Sequence, residues 1–462
     1  MKTGGSKLSR RALLTGALAV SGCVAGQRVV PPLAELYRDL DHAADQPPLI
    51  VIPGAFGSQL RRRSTGVEIW PRSNFSLLFS SYPDIELEID PETLEPITDD
   101  VEAFEIFREG LGRDFYGAVL DTLEDVGGYT RRRVGDPGEP SGRTYYVYLY
   151  DWRLDNVAAV QGLHELIERV ADEHGNSSQQ VDVLAHSNGG LLARYYARYG
   201  TADVLTENPV PASGNGSYRI RRLLLVGTPN LGSMQPVLSH VRGEEMGLRH
   251  IPADVVATCS GAPQLMPHPE HTWLVNLRGE PIDLDVYDIE TWRDLDWSIF
   301  SAKARARMIR RRGSRKAADA HRQMLDAYLS KHLARGRRFQ QALSLPALQD
   351  EPRPYLFGGD CAPTVARLVL GRAGKGYAGY ERADLIPNPL SGLNYAALIN
   401  DPGDGVVTRE SLIGRPSRMN RGPVAPLEIS HSVFLCEAHQ SLTGNPSFQD
   451  NLLYTLLSLE DN

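Results

Sequence analysis

The sequence predicts an α/β fold built around a mostly parallel sheet. Short apolar segments rich in β-formers alternate with longer helix-like ones, and sharp turns follow several of the strand-like segments. These segments are residues 48–52, 145–150, 181–184, 222–226, 354–357 and 427–435, with helix-like stretches at 157–174 and 191–199. Such alternation favours parallel strands, whose ligand sites lie beyond their carboxyl ends. The turns after the first, third and fourth segments should therefore converge.

The turn after the third segment carries the most informative motif. Residues 181–190 read VDVLAHSNGG, so a β-type run passes through a small-x-Ser-x-Gly turn into a helix. Such a turn exposes a nucleophilic serine, and it needs small flanking residues because strand and helix approach closely. Ala185, where Gly is usual, and Gly189 meet this need. Ser187 is the predicted nucleophile, and an ordinary serine in a β–α turn is the alternative.

A candidate acid follows near the end of the chain. Asp404 stands between Gly403 and Gly405, which suits a tight turn that presents a carboxylate inward. Its role would be to fix the tautomer of a histidine and to stabilise the imidazolium. The alternative, a loop aspartate that caps the next turn, better describes Asp401.

Two histidines compete for the role of general base. His431 falls inside the last predicted strand, residues 427–435, whereas His439 follows that strand. A final helix is predicted to begin at Asn445 and Pro446, an N-cap residue and a first-turn proline. The loop between strand and helix is the place from which an imidazole can reach the serine, so His439 is the predicted base. The alternative for His431 is a packed or hydrogen-bonded strand histidine.

The order Ser187, Asp404, His439 is that of the α/β-hydrolase fold. Acyl transfer on this fold also needs two preorganised N–H groups that bind the oxyanion. Asn188, the residue after the nucleophile, is expected to supply one. Ala55, in the loop after the first strand, is expected to supply the other.

Five segments together resemble the lecithin:cholesterol acyltransferase-like family, which includes lysosomal phospholipase A2 and the phospholipid:diacylglycerol acyltransferases. They are residues 51–60 (VIPGAFGSQL), 150–153 (YDWR), 185–189 (AHSNG), 227–233 (GTPNLGS) and 403–407 (GDGVV). The YDWR match is the most specific, because a generic esterase has no reason to carry it between two correctly placed neighbours. The resemblance extends from about residue 49 to 445 and implies acyl-ester chemistry on lipids.

The resemblance also implies how the substrate is enclosed. Phe56 and Trp152 are expected to line or back the acyl pocket. Asp151 and Arg153 are expected to form a structural ion pair in its wall, and a catalytic role is the alternative. A helical cap inserted at about residues 236–352 and a lid-like segment at about 60–115 would cover the hydrolase domain, residues 48–462. The cap does not align with the family, so the acyl acceptor is not implied.

The first 23 residues predict export. A basic start, an apolar run too short to span a bilayer and a small-residue end form a bacterial export signal, and residues 9–14 (SRRALL) resemble a twin-arginine signal. Residues 20–23 (VSGC) resemble a lipobox, in which Cys23 is lipidated; the alternative is plain cleavage near Gly22. Residues 24–47 then read as a tether. The mature product would be a membrane-anchored lipoprotein, or periplasmic or secreted.

Composition limits the partners and cofactors. A net charge of −8 gives no indication of nucleic-acid binding. Cys259, Cys361 and Cys436 are too widely spaced for a zinc site, so no metal or other cofactor is expected, and one disulfide of open pairing is possible. Residues 301–345 are helix-like and basic, and either form a solvated face or attract anionic lipid headgroups. The aromatic segment 69–81 either touches a membrane or packs on the core.

Together these features predict a serine-dependent hydrolase or O-acyltransferase that acts on lipids through an acyl-enzyme. A lipase or esterase that uses water alone is the first alternative. The second, from a different class, is a catalytically silent, membrane-tethered binding protein on the same fold.

Overall fold

The computed structural model describes residues 32–38, 46–98, 100–207, 210–374, 376–417 and 419–458. The predicted export signal, including Cys23, lies outside the described residues, as does most of the predicted tether.

A seven-stranded, wholly parallel sheet forms the centre of the molecule, which confirms the predicted α/β class. In chain order its strands are β1 (Leu49–Ile52), β2 (Thr130–Arg131), β3 (Thr144–Val147), β4 (Val181–His186), β5 (Ile220–Val226), β6 (Tyr355–Gly359) and β7 (His431–Leu435). Their order across the sheet is β7-β6-β5-β4-β1-β3-β2. The chain first places β2 and β3 on one side of β1, with β2 at the edge, and then crosses to the other side with β4, so the topological switch point lies between β1 and β4. Ligand sites of parallel sheets form at such a point.

Helices cover both faces of this sheet. The helices α1 (Gly117–Asp125) and α6 (Pro446–Leu457) pack on one face, and α2 (Asn156–Glu173) and α3 (Asn188–Tyr199) on the other. Successive residues of β1 alternate between these layers, because Leu49 and Val51 join the first core while Ile50 and Ile52 join the second. Burial on both faces explains why the strands read as continuous apolar runs rather than as alternating patterns.

The predicted element boundaries differ from the observed ones in two informative places. The last strand begins at His431 rather than at residue 427. The edge strand β2 was not predicted, because two residues are too few to leave a periodic signal. The last helix begins as predicted, with the Asn445 side chain accepting hydrogen bonds from the N–H groups of Ser447 and Phe448.

Two excursions of the chain build a second layer with its own core. The first lies between β5 and β6 and includes α4 (Ala302–Arg312) and α5 (Arg315–Leu343), which the left-handed Gly313 separates. The second lies between β6 and β7, and its strand Leu368–Ala373 pairs in parallel with Leu274–Asn276 of the first excursion. We propose that the cap comprises both excursions, so that it extends beyond the predicted residues 236–352.

Shorter elements complete the fold. The helices are Leu33–Leu36, Asn74–Phe79, Gln235–Arg242, Ala253–Val256, Ile289–Asp294, Tyr395–Ile399 and Arg409–Leu412. The strands are Ser58–Arg62, Glu68–Trp70, Glu88–Ile89, Pro96–Ile97, Val101–Ile106, Glu109–Gly110, Arg113–Asp114, Glu244–Met246, Arg249–Ile251, Leu274–Asn276, Ala362–Val365, Leu368–Ala373, Gly376–Tyr380 and Asn400–Gly403. In the part of the chain that the structure describes, no helix combines the length and apolar character needed to cross a bilayer.

Several cations of the basic segment hold elements together. Arg307 forms an ion pair with Asp254 at 2.9 Å, and Arg311 and Arg312 both approach the carboxylate of Glu86. Glu86 belongs to the predicted lid-like segment, so these contacts attach that segment to α4. Other cations of the segment are exposed, namely Lys303, Arg305, Arg310, Arg315 and Lys316.

The disulfide joins Cys361 to Cys436, with their Cα atoms 5.1 Å apart. One half follows β6 and the other directly follows β7, so the bond ties together the carboxyl ends of two neighbouring strands. Cys259 is buried and remains a free thiol.

Candidate active site

Ser187 occupies a strained turn between β4 and α3. Its backbone φ is 52° and its ψ is −122°, a region that non-glycine residues rarely adopt and that costs about 1–3 kcal/mol. The Ser187 N–H donates to the Val226 carbonyl at 2.8 Å, which anchors the turn to β5. A Cβ added to Gly189 would lie 2.6 Å from the Ile52 carbonyl oxygen. A larger residue there would push α3 away from β1, which explains the small residue in the motif.

The structure brings Ser187, His439 and Asp404 into one hydrogen-bonded chain. The Ser187 Oγ lies 3.0 Å from His439 Nε2, and His439 Nδ1 lies 2.8 Å from Asp404 Oδ2. Because a carboxylate can only accept, Nδ1 carries the proton and Nε2 is free to accept the serine proton. The His439 N–H also donates to the Asp404 carbonyl at 2.9 Å, so backbone and side chain fix the same pair.

Asp404 is buried, with 1% of its surface exposed. Burial by itself would raise the pKa of its carboxyl, but His439 and the Val406 and Val407 N–H groups outweigh that effect and lower the pKa. Those N–H groups donate to Oδ1 at 3.0 and 2.7 Å, which leaves Oδ2 for the histidine. Asp404 is therefore an ionised partner that can orient the imidazole and stabilise its charged form.

His431 lies away from this chain. It is exposed at the start of β7, where it pairs with Tyr355. The serine is at the carboxyl ends of the strands, so His431 stands at the opposite end of the sheet from it.

The two predicted oxyanion donors flank the serine. Gly54 packs directly against it, since a Cβ added there would lie 2.8 Å from the Ser187 Cβ, and Ala55 is the next residue. Asn188 is the first residue of α3, a position whose N–H has no acceptor within its own helix. The structure thus places both predicted donors beside Ser187, in elements that begin or end there.

Side-chain hydrogen bonds that were not predicted from the sequence hold the start of α3 and the loop after β1 in place. Asn188 and Asn156 exchange two side-chain hydrogen bonds of 2.9 Å each. Asn188 also donates to the Tyr150 hydroxyl at 3.1 Å, and that hydroxyl donates to the Pro53 carbonyl at 2.9 Å. These contacts join residues nearly 100 positions apart. The position of Tyr150 in the YDWR segment was the only sequence signal that could have indicated them.

An aromatic cluster continues from the loop after β1, residues 53–57, which we call the oxyanion loop after its predicted role. The Phe56 ring centroid lies 4.1 Å from that of Trp152 and 5.1 Å from that of Trp70. Trp70 Nε1 donates to the Phe56 carbonyl, and Trp152 Nε1 donates to the Ser58 carbonyl. Phe56 is partly exposed and Trp152 is buried, so Phe56 lies nearer the protein surface and Trp152 behind it. Together with Trp70 they form what we call the aromatic wall.

Asp151 and Arg153 form a buried ion pair in the same wall. Arg153 donates to the two carboxylate oxygens at 2.9 and 2.6 Å. It also reaches the Ile85 carbonyl at 3.3 Å, so it links the wall to the lid-like segment.

Residues 135–278 match the model of the lecithin:cholesterol acyltransferase family. The family resemblance is confirmed over this segment. It contains Trp152, the Ser187 turn and the residues that follow β5, whereas Asp404 and His439 lie beyond its end. No curated protein matches the chain.

One solved structure shows the same fold, and two others match more weakly. A chain in the crystal structure of the Tle4-Tli4 complex has a TM-score of 0.56 and 16% identity, covering 89% of this chain and 98% of that one. Bacillus licheniformis lipase BlEst2 in its mature form matches with a TM-score of 0.34, 11% identity and coverage of 91% and 96%. EstA from Clostridium botulinum matches with a TM-score of 0.34, 12% identity and coverage of 93% and 95%. The α/β-hydrolase fold predicted from the sequence is confirmed.

Proposed function

We propose that this protein is a serine-dependent enzyme that removes the acyl group from lipid esters and passes it to water or to an alcohol. The hydrogen-bonded chain from Ser187 through His439 to Asp404, at the switch point of the sheet, is the observation that carries the proposal. Its distances, 3.0 and 2.8 Å, lie within the range that proton transfer requires. The family match supports lipid esters as the substrate class.

The reaction would proceed in two half-reactions. Ser187 Oγ attacks the ester carbonyl carbon while His439 Nε2 takes the serine proton. The negative charge that develops on the carbonyl oxygen is held by the N–H groups of Ala55 and Asn188, each donor being worth on the order of 3 kcal/mol. The ester bond then breaks, and the leaving alcohol takes the proton from His439. Water or an alcohol attacks the acyl-serine with His439 again as base, which releases acid or new ester and restores the serine.

The alternative of a catalytically silent binding protein explains this site less well. Such a protein has no use for a serine held at φ 52° or for a buried, ionised carboxylate aligned on a histidine. Strained backbone and buried charge persist where function requires them.

The choice between water and an alcohol acceptor is the finer question. Both would compete for the same acyl-enzyme, and a cap that excludes water favours the alcohol. We expect an added lipid alcohol to divert product from free fatty acid to new ester, with total turnover changing less when acylation limits the rate. Both products should be measured across an acceptor series, on vesicles and in detergent. Fatty acid as the sole product at saturating acceptor would identify a lipase.

The substrate would reach the site from a lipid surface. Three neighbouring elements expose large apolar side chains: Phe75 is 72% exposed, Phe79 45%, Leu111 40% and Leu248 72%. We call these four residues the outer apolar patch. The phenylalanine rings lie 4.8 Å apart, the Leu248 N–H donates to the Leu78 carbonyl, and the Leu111 N–H donates to the Asn74 side chain. The patch is therefore continuous, and exposed apolar patches mark interaction surfaces.

The patch lies above the aromatic wall of the site. A Cβ added to Gly110 would meet both Phe107 and Leu77, which places this layer directly beneath the patch. The Phe107 ring in turn lies 6.2 Å from Trp70, which contacts Phe56. An apolar path thus leads from the surface to the residue next to Ala55, and it supports contact with a lipid surface rather than with a polar partner.

Replacing Phe75 and Phe79 together with serine tests this surface. Burying even part of both rings in lipid contributes more than about 1.4 kcal/mol, so we expect binding to lipid vesicles to fall at least about tenfold. Hydrolysis of a soluble short-chain ester should not change. Tyr218→Ser is a matched control, since Tyr218 is 60% exposed but directly precedes β5 at the opposite end of the sheet. Unchanged vesicle binding by the double variant would exclude the patch.

We further propose that the enzyme works outside the cytoplasm, anchored to a membrane or free in the periplasm or medium. The Cys361–Cys436 disulfide supports this location, because disulfides persist in oxidising compartments.

A further inference from the structure

Two polar side chains that the proposed mechanism does not use lie between the oxyanion loop and the base. Tyr116 precedes α1 and is buried, with 5% of its surface exposed. His186 is the last residue of β4, directly before the nucleophile. The two residues are 70 positions apart in the sequence, but the fold brings their side chains into contact beneath Ser187.

Three hydrogen bonds connect these side chains to both halves of the site. The Gly54 N–H donates to the Tyr116 hydroxyl oxygen at 2.8 Å. The Tyr116 hydroxyl donates to His186 Nδ1 at 2.7 Å, so the proton of this ring resides on Nε2. That N–H faces the carbonyl oxygen of His439 at 3.2 Å. One continuous chain thus leads from the oxyanion loop to the backbone of the base.

The protonation states keep this direction fixed. Burial, together with the neighbouring His439, lowers the pKa of His186 to about 3, so the ring stays neutral near neutral pH. Burial raises the pKa of Tyr116, so its hydroxyl stays a donor. Each group therefore has one role, because reversing the chain would leave His186 Nε2 and the His439 carbonyl oxygen facing each other as two acceptors.

Close packing makes the chain sensitive to small shifts. A Cβ added to Gly54 would lie 3.2 Å from His186 Nδ1 and 2.8 Å from the Ser187 Cβ. The His186 and His439 rings have centroids 5.0 Å apart. On the far side, the His439 N–H is held by the Asp404 carbonyl. The backbone of His439 is thus fixed at both polar groups, its N–H by Asp404 and its carbonyl by His186.

We propose that Tyr116 and His186 are positioning residues that keep the oxyanion loop and the base in register across Ser187. The inference rests on the proposed function and deepens it. Neither side chain touches the serine oxygen or would touch the substrate, so they act through Gly54 and His439. Misplacement of reacting groups by about 1 Å lowers rates by on the order of 100-fold, and the loss falls on the chemical step.

The test compares kcat and KM on a soluble ester for Tyr116→Phe, His186→Phe and His186→Gln. The two phenylalanine variants keep ring volume but remove the bonds, and we expect kcat to fall on the order of 10- to 100-fold with KM within about twofold. Their combination should be no worse than the more severe single variant, because both break one chain. His186→Gln offers a neutral acceptor and donor, so it should retain much more activity than His186→Phe.

Tyr196→Phe is the matched control. It removes another tyrosine–histidine hydrogen bond, 3.2 Å to His164, on helices that flank the sheet rather than in the site. Unchanged kcat in Tyr116→Phe, a change confined to KM, or an equal loss in Tyr196→Phe would each overturn the inference. Labelling with a fluorophosphonate probe separates this from failure of the proposed function: label that persists in Ser187→Ala would refute the function itself.

Discussion

Ser187→Ala is expected to abolish ester turnover, with kcat reduced by at least about 10⁴-fold, because the acyl group then has no oxygen to which it can be transferred. The fold should remain, since alanine is no larger than serine in the tight turn. Turnover of a short-chain ester, circular dichroism and fluorophosphonate labelling of the purified variant measure both expectations.

Ser217→Ala is the control for this experiment. Ser217 is buried and lies before β5 at the opposite end of the sheet, where its hydroxyl donates to the Ala197 carbonyl. The Ser217→Ala variant should keep its activity and its fluorophosphonate label. If Ser187→Ala retains more than a trace of wild-type turnover, another residue is the nucleophile.

His439→Ala is expected to match the serine variant in severity. Without the imidazole that links Ser187 to Asp404, the hydrogen bonds among the described residues offer no other acceptor for the serine proton. His431→Ala, an exposed substitution away from the site, should change kcat by less than about twofold. Both variants should be measured in one assay, with thermal unfolding as a check.

The reverse ranking would assign the base to His431 and contradict the geometry. A large loss in both variants with lowered thermal midpoints would indicate that folding, rather than proton transfer, was affected. Asp404→Asn gives an independent reading of the same chain, because it keeps the shape of the side chain while removing the charge that orients the imidazole.

The local parts of the site could be predicted from the sequence, because strand, turn and helix are adjacent in the chain. Ser187 and Asn188 follow from one ten-residue segment, and the position of His439 follows from the strand that precedes it and the helix that follows. The glycines around Asp404 gave a comparable signal. In each case, a short segment determines where the side chain points.

The supporting contacts could not be predicted, because they join residues that no local pattern relates. Tyr116 meets Gly54 across 62 positions and His186 across 70. The disulfide joins Cys361 to Cys436 across 75, and three cysteines allowed three pairings. The pairing of the two excursions could not be predicted for the same reason, since Leu368–Ala373 joins Leu274–Asn276 from a distant part of the chain.

The position of β7 at the edge of the sheet has a consequence for the time at which the protein can become active. The serine turn and His439 are separated by 252 residues, and the base directly follows this last strand. At a synthesis rate of about 5–20 residues per second, those residues take roughly 10–50 seconds to make. The nascent chain thus carries Ser187 for that interval before the proposed base has been made. Completion of the edge strand, rather than folding of the serine turn, would set the moment at which the proposed enzyme can first cleave an ester.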